Sequence, residues 1–170
     1  EALEVPAVLA AHEAVAALAA KQGWKRPASP KGANELDQLA IDDRGRLVLV
    51  ELKDARASEV VTAPLQALRY AWEWHAALDV LLPSLQALRA ARMAVGLMPP
   101  DTPELTGELR AVVAWGEGSP SPEVLRRLAE VKATVDRHFP PGIPEVEVWC
   151  VTPDGPRVVA LHGPSAGRAG

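Results

Sequence analysis

The first third of the chain shows an apolar pattern that predicts one helix followed by two strands. An alanine-rich stretch over residues 6–21 has Pro6 near its start and Gly23 just past its end, which is typical of a helix. Residues 22–33 form a basic, proline-containing link with room for a short strand. Two apolar runs within residues 35–53 predict a pair of strands.

The middle of the chain predicts a second helix, a break and a third strand. Thr62 is a candidate N-cap for this helix. The apolar positions at helical spacing are Leu65, Leu68 and Trp72. Pro83 predicts an interruption, because proline lacks an N–H group and its ring clashes with the preceding turn. We expect a shorter helix over residues 84–91 and a strand in the stretch RMAVGLMPP, residues 92–100.

The last third predicts a strand, a helix and a closing hairpin. Residues 111–115, AVVAW, have the composition of a strand. Residues 119–139 give the clearest helix signal, with Ser121 as the N-cap. The stretches 146–151 and 157–161 predict a hairpin around the turn TPDG. This order of elements predicts an α/β fold with a mixed sheet flanked by helices on both faces.

Composition narrows the class of protein. A chain of 170 residues that is 48% hydrophobic is long enough to bury a core. We expect one domain over residues 1–162 and a flexible tail at 163–170.

The net charge of −4 argues against a general nucleic-acid coat protein but allows a local basic patch. No apolar stretch approaches the roughly 20 residues that span a bilayer, so we expect no membrane partner. The single cysteine, Cys150, excludes an intrachain disulfide and favours a cytoplasmic setting. The sequence leaves a homo-oligomer open.

The stretch ELDQLAIDDRGRLVLVELKD, residues 35–54, combines an apolar strand with charged ends. The residues Asp43-Arg44-Gly45 fit a three-residue hairpin loop, with glycine in the left-handed position. With that loop, Asp37 faces Glu51 and Glu35 faces Lys53, all on one face of the sheet. The apolar pairs of the same face are Ile41 with Leu47 and Leu39 with Leu49. Three carboxylates and one ammonium therefore meet at one end of this face.

Facing carboxylates predict a cation site. Side chains directly opposite each other have Cβ atoms roughly 5 Å apart, so Asp37 and Glu51 would repel each other. Mg²⁺ or Mn²⁺ would remove this conflict, because both prefer oxygen ligands, and the backbone carbonyl of Leu52 is a further candidate ligand. A metal-bound water beside the ammonium of Lys53 is a plausible hydrolytic nucleophile. No histidine has a ligand-like partner here, so zinc is the poorer choice.

These residues resemble the PD-(D/E)XK nuclease superfamily, in its RecB-like branch. Asp37 matches the lone acid of one strand, and Glu51 and Lys53 match the E-x-K of the next. Gln66 and Tyr70, one helical turn apart, match the Q-x-x-x-Y element that follows in that branch. The resemblance covers roughly residues 13–70, less than half of the chain.

The resemblance implies a restriction-endonuclease-like fold of order α-β-β-β-α-β, here with an extra C-terminal helix and strands. It also implies a metal-dependent nuclease that hydrolyses DNA phosphodiester bonds with Mg²⁺ or Mn²⁺. Asp37 and Glu51 would bind the metal, Lys53 would orient the nucleophile or stabilise charge, and Gln66 and Tyr70 would support the site. Many members carry a glutamate on the first helix that points at the metal, for which Glu13 is the candidate.

The basic link is a candidate contact for DNA. Trp24, Lys25, Arg26 and Lys31 precede the hairpin, and this combination can hold phosphates and stack a base. The alternative is a solvated loop with Trp24 packed inward.

Interpretations without a catalytic role stay open for the other candidates. Glu51 and Lys53 would then be a solvated strand end, Gln66 and Tyr70 plain helix residues, and Glu13 a surface acid. At the level of function, the alternatives are a catalytically silent module of the same fold that binds nucleic acid or protein, and an unrelated α/β domain.

Overall fold

The computed structural model of the protein describes residues 5–28, 35–116 and 118–161. Within these ranges the chain forms three α-helices and five strands, which follow one another as helix, two strands, helix, strand, helix and two strands. The helices are α1 at Pro6–Gln22, α2 at Ala63–Ala94 and α3 at Pro122–Val135. The strands are β1 at Gln38–Ile41, β2 at Leu47–Lys53, β3 at Leu109–Trp115, β4 at Glu147–Thr152 and β5 at Gly155–Val158.

The five strands form one mixed sheet in sequence order. The outer pairs, β1 with β2 and β4 with β5, are antiparallel hairpins, while β2, β3 and β4 run parallel. The first hairpin has the predicted register, because Leu39 pairs with Leu49 and Ile41 with Leu47. Gly45 closes its loop with φ +78°, the left-handed conformation that the loop required. The α/β class and the register of this hairpin are confirmed. The closing hairpin is also present, although β5 begins and ends earlier than the predicted stretch 157–161.

The helices cover one face of the sheet. Ala63, Ala67 and Ala71 of α2 pack on Ala111 and Val113 of β3, because small side chains let helix and strand approach closely. Around them, α3 packs on the part of this face near Trp115, and the middle of α2 packs near Leu47 and Leu109. α1 forms an outer layer against α2 and α3 rather than against the strands.

The expectation of helices on both faces is wrong for the described residues. The apolar cluster of the opposite face, around Val48, Val50 and Val112, consists of strand residues only. Trp149 packs against this cluster. On the same strands Arg110 pairs with Glu147 at 2.6 Å, and its guanidinium carbon lies 5.3 Å from the centre of the Trp149 ring.

The predicted interruption at Pro83 is also wrong, since α2, which is 32 residues long, continues through Pro83 to Ala94. Pro83 lies on the exposed side of the helix, where water can bond the carbonyl that loses its partner. Contacts on both sides of Pro83 hold the helix in place. Leu78 is buried before it, and after it the side chain of Gln86 donates to the carbonyl of Leu105 at 3.1 Å.

The predicted third strand over residues 92–100 does not form. The helix α2 extends to Ala94, and Gly96, at φ +72°, ends it in the left-handed conformation. The next strand begins only at Leu109. In the described residues two strands precede α2, whereas the expected order α-β-β-β-α-β has three before its second helix. In the link before β1, residues 24–28 are not a strand, and residues 29–34 lie outside the described ranges.

The remaining helices follow their sequence signals. Gly23 ends α1 in the left-handed conformation, and the hydroxyl of Ser121 accepts a hydrogen bond from the backbone N–H of Val124 at the start of α3. None of the described helices combines the length and the apolar character needed to cross a bilayer.

Candidate active site

The candidate site lies at the carboxyl end of β2. Glu51 and Lys53 are two positions apart, so both side chains point to the helix-covered face of the sheet. Asp37, just before β1, and Tyr70 of α2 approach the same place. The hairpin, the helix and the strand end therefore converge on one small volume.

Glu51 is a buried carboxylate that is only half satisfied. It is 2% exposed, and its Oε1 atom contacts the ammonium of Lys53. Its Oε2 atom is buried and has no hydrogen-bond partner among the described residues. Burial raises the pKa of Glu51, the ion pair with Lys53 counteracts this, the charge of Asp37 raises the pKa further, and the nearby Tyr70 hydroxyl lowers it. The single Tyr70 O–H is donated to the Glu35 carbonyl, so it leaves Oε2 without a donor.

Asp37 lies at the solvent side of this carboxylate. The ladder between β1 and β2 ends at the pair Gln38–Val50, one pair before Asp37. The Asp37 side chain instead accepts a hydrogen bond of 2.7 Å from the backbone N–H of Leu52. This contact holds the exposed Asp37 carboxylate close enough to Glu51 for the two charges to repel each other.

The same hydrogen bond locates the Leu52 carbonyl. In a strand, the N–H and C=O groups of one residue point to the same side. Since the Leu52 N–H points at Asp37, its carbonyl oxygen also lies on the Asp37 side of β2. Two carboxylates and a backbone carbonyl are thus available at one strand end, which suits a hard divalent cation with waters in its remaining positions.

Tyr70 fixes the approach to the site. Its hydroxyl donates a hydrogen bond of 2.7 Å to the backbone carbonyl of Glu35, two residues before Asp37. Burial raises the pKa of Tyr70, and the negative charge of Glu51 raises it further, so the hydroxyl stays protonated. Gln66 lies one turn earlier on α2 and is half-buried. Tyr70 therefore belongs to the site, whereas Gln66 forms no hydrogen bond with the charged groups of the site or with any other described residue.

The structure does not bring Glu13 to this group. Glu13 lies on the exposed side of α1, which packs against α2 and α3 through its Val8, Ala11 and Val15 side. In the described part of the chain, no three His, Cys, Asp or Glu side chains are grouped closely enough to hold a metal ion. The protein ligands of a cation would accordingly be two carboxylates plus backbone and water.

The basic link contributes a second surface. Trp24 packs toward the core, and the guanidinium groups of Arg126 and Arg127 lie 5.7 and 5.1 Å from its ring centre. Trp24 therefore packs inward, as in the alternative interpretation of the link, and its ring already contacts two arginines. Lys25 and Arg26 are exposed.

One predicted residue of this surface is not described by the structure, and two of its other residues have no signal in the sequence. Lys31 lies outside the described residues. The two arginines of α3 were not identified as partners of Trp24, because about a hundred positions separate them and no local pattern signals the pairing.

Comparisons with known proteins identify no relative. No protein-family model matches the chain, and neither the curated proteins nor the solved structures contain a match.

Proposed function

We propose that this protein is a metal-dependent nuclease that hydrolyses DNA phosphodiester bonds at the carboxyl end of β2. The observation that carries the proposal is the buried, unpartnered Oε2 atom of Glu51 beside a second carboxylate. Leaving a buried polar atom without a partner costs about 1–3 kcal/mol, more if it is charged. Gln86 Oε1 on α2 is also buried without a partner, but only the Glu51 oxygen belongs to an ionisable group with a like charge beside it, the combination that is enriched at functional sites.

The residues present fit a divalent cation. Asp37, Glu51 and the Leu52 carbonyl would hold it, and the unpartnered oxygen of Glu51 would gain the positive charge that the protein does not supply. Mg²⁺ is usually held by one or two carboxylates and several waters, which agrees with two acids and no third. Bound there, Mg²⁺ or Mn²⁺ would polarise a phosphate oxygen and generate a water nucleophile near neutral pH.

Lys53 has the position of a catalytic cation. Its ammonium contacts Glu51, while its side chain is 18% exposed and so reaches the solvent edge of the site. From there it orients the attacking water or stabilises negative charge that develops on the phosphate. Tyr70 acts through the backbone, because its hydrogen bond to Glu35 holds the segment that carries Asp37.

A second candidate is a module of this kind that binds DNA without turnover. The ion pair between Glu51 and Lys53 favours it, because each charge already has one partner in the folded protein. The unpartnered Oε2 atom argues for the enzyme, since a binding module gains nothing from a buried carboxylate oxygen without a donor.

Cleavage assays separate the two candidates. Purified protein is incubated with labelled single-stranded, duplex, nicked and branched DNA in Mg²⁺, Mn²⁺ or EDTA. The nuclease proposal predicts cleavage of at least one form with either metal and none in EDTA. A protein that binds DNA and cleaves no form with either metal would support the silent module.

Lys53→Ala tests the catalytic assignment within the same assay. We expect it to abolish cleavage and to leave DNA affinity almost unchanged, because one ammonium is a small part of the contact with a polyanion. Arg56→Ala is the matched control, since Arg56 is an exposed cation three residues further on and does not contact Glu51. Equal cleavage rates for Lys53→Ala and the parent protein would refute the role of Lys53.

A further inference from the structure

We propose that a cleft between the link after α1 and helix α3 binds one nucleotide of single-stranded DNA. The base would lie on the apolar floor of the cleft, and the phosphates would lie at its basic rim. The inference relies on the proposed function for DNA as the ligand, and it adds the form of the substrate and the place where it is held.

The cleft has the size and lining of a site for one base. Its volume is about 280 Å³, slightly below the range of about 300–1,000 Å³ typical of small-molecule pockets. The floor is made of aliphatic side chains from α1, α3 and the 3₁₀ helix at Ser58–Val61. These side chains are Val15, Ala19, Val61, Val124 and Val131. The flat π-face of a base packs on such a surface, whereas a polar sugar or a free phosphate does not.

The rim carries positive charge at the mouth of this apolar floor. Lys25, Arg26 and Arg127 line the cleft, against one acid, Glu59. Lys25 and Arg26 are exposed and form no ion pair with a described residue. Arg127 shares Glu123 at 2.8 Å, so its charge is partly compensated. The rim therefore complements an anionic group attached to the base, which is what a nucleotide presents.

Trp24 pre-orients the rim. Its ring lies 5.1 Å from the guanidinium carbon of Arg127, a cation–π contact that holds the arginine at the cleft. Both Trp24 and Arg127 line the cleft, so their contact fixes one wall of it. Less conformational freedom is then lost when a phosphate binds.

The cleft is close enough to the candidate active site to act on the same strand. Ser58 lines the cleft and is five residues after Lys53, so the two Cα atoms are at most about 18 Å apart. A stacked DNA strand rises about 3.4 Å per nucleotide, so at most about five nucleotides bridge that distance. A base in a duplex is paired and stacked and enters such a cleft only if it is flipped out, which favours a single strand.

The test is binding in EDTA, where no cleavage occurs, measured by fluorescence anisotropy over a series of salt concentrations. The probes are a labelled oligothymidylate and its duplex with oligoadenylate, both long enough for the duplex to stay paired throughout the salt series. We expect the single strand to bind at least about tenfold more tightly than the duplex.

Joint replacement of Lys25 and Arg26 by alanine should weaken single-strand binding about tenfold. It should also reduce the salt slope by about 1.4, since each lost contact on a single strand accounts for about 0.7.

A matched pair at Ser58 tests the cleft itself. Ser58→Glu and Ser58→Gln introduce side chains of equal size at an exposed position, but only the first adds a negative charge beside the rim. We expect Glu to weaken single-strand binding several-fold more than Gln does. Arg92→Ala is the remote control, because Arg92 is exposed near the end of α2, about 45 Å along the helix from Thr62 at the cleft. It should bind like the parent.

The outcomes distinguish this inference from the nuclease proposal. Equal affinity for single strand and duplex, or an unchanged salt slope in the double variant, would overturn the cleft. If that happened while the parent still cleaved DNA in Mn²⁺, the nuclease proposal would stand alone. If the parent cleaved nothing while single-strand binding still depended on Lys25 and Arg26, the cleft would stand and the nuclease proposal would fail. Melting temperatures equal to the parent's establish that each variant is folded.

Discussion

Replacing Asp37 by asparagine distinguishes a cation site from a charged strand end. Asparagine keeps the size of the side chain and an oxygen that can accept the hydrogen bond from the Leu52 N–H, which is 2.7 Å in the parent. It removes the negative charge that repels Glu51. The substitution therefore changes the electrostatics of the site with little effect on its geometry.

The expected magnitude follows from the exposure of Asp37. Two unit charges about 5 Å apart interact by about 0.8 kcal/mol in water and by about 3 kcal/mol at an effective dielectric constant of 20. Asp37 is exposed and Glu51 is buried, so we expect a value near the lower end, about 1 kcal/mol. In EDTA the variant should be equal to the parent or more stable, by about 2–4 °C in Tm for a chain of this size.

The same substitution should have the opposite effect on stabilisation by metal. A ligand at a concentration of about 100 Kd stabilises the folded state by about 2.7 kcal/mol, so the parent's Tm should rise by roughly 5–10 °C in a manganese titration. Asp37→Asn should lose most of this rise, because one of the two carboxylate ligands is gone. Asp79→Asn is the matched control, an exposed aspartate on α2 whose replacement should leave the manganese effect intact.

Thermal melting of the three proteins in EDTA and in Mn²⁺ is the assay. A surface acid predicts no change in either condition, and an acid in a structural ion pair predicts a variant that is less stable in EDTA. If the parent's Tm ignores manganese, or if Asp37→Asn melts several degrees lower in EDTA, the two carboxylates do not form a cation site.

The remaining predictions concern the groups around the site. Tyr70→Phe should lower stability by about 1 kcal/mol through loss of the hydrogen bond to Glu35, and it should weaken stabilisation by manganese; an unchanged manganese titration would remove Tyr70 from the site. The folded state raises the pKa of Glu51 above its ordinary value of 4.5, so it holds the proton more tightly than the unfolded state does. Between pH 4.5 and the raised pKa, the metal-free protein should therefore become less stable as pH rises. Melts of the parent and Glu51→Gln across this range test that, since the variant should lack the slope. Gly45→Ala should destabilise the protein by about 3 kcal/mol or more in urea unfolding, because φ is +78° and the new Cβ would collide with the Glu104 carbonyl.

The first hairpin was predictable because its determinants are local. Gly45 selects the loop, the loop sets the register, and the register orders the side chains of residues 38–50. The proximity of Glu51 and Lys53 follows from the period of a strand alone. The extent of α2 was not predictable in this way, because the contacts that carry it past Pro83 are tertiary, such as the hydrogen bond from Gln86 to the Leu105 carbonyl. The pairing of Trp24 with Arg127 is equally non-local.

Asp42, which directly follows β1, provides a comparison for the unpartnered oxygen of Glu51. Asp42 accepts hydrogen bonds from the backbone of Arg46 at 3.0 Å and from the guanidinium of Arg110 at 2.8 Å. Burial alone would raise the pKa of Asp42, but these bonds outweigh it and lower the pKa to about 2. Such a carboxylate is stabilised in its charged form by the fold, as a structural ion pair requires.

Glu51 is also paired with a cation, Lys53, but it differs from Asp42 in three respects. One of its oxygens has no donor among the described residues, a like charge lies beside it, and its pKa is raised rather than lowered. Asp42 therefore has hydrogen-bond donors that stabilise its charge, whereas Glu51, at the end of β2, lacks a donor for one of its two oxygens. A positive charge from outside the chain would satisfy Glu51 and Asp37 together, and it would do so at the strand end where Lys53 reaches solvent. This contrast within one sheet supports a cation-dependent reaction over a purely structural role for the pair.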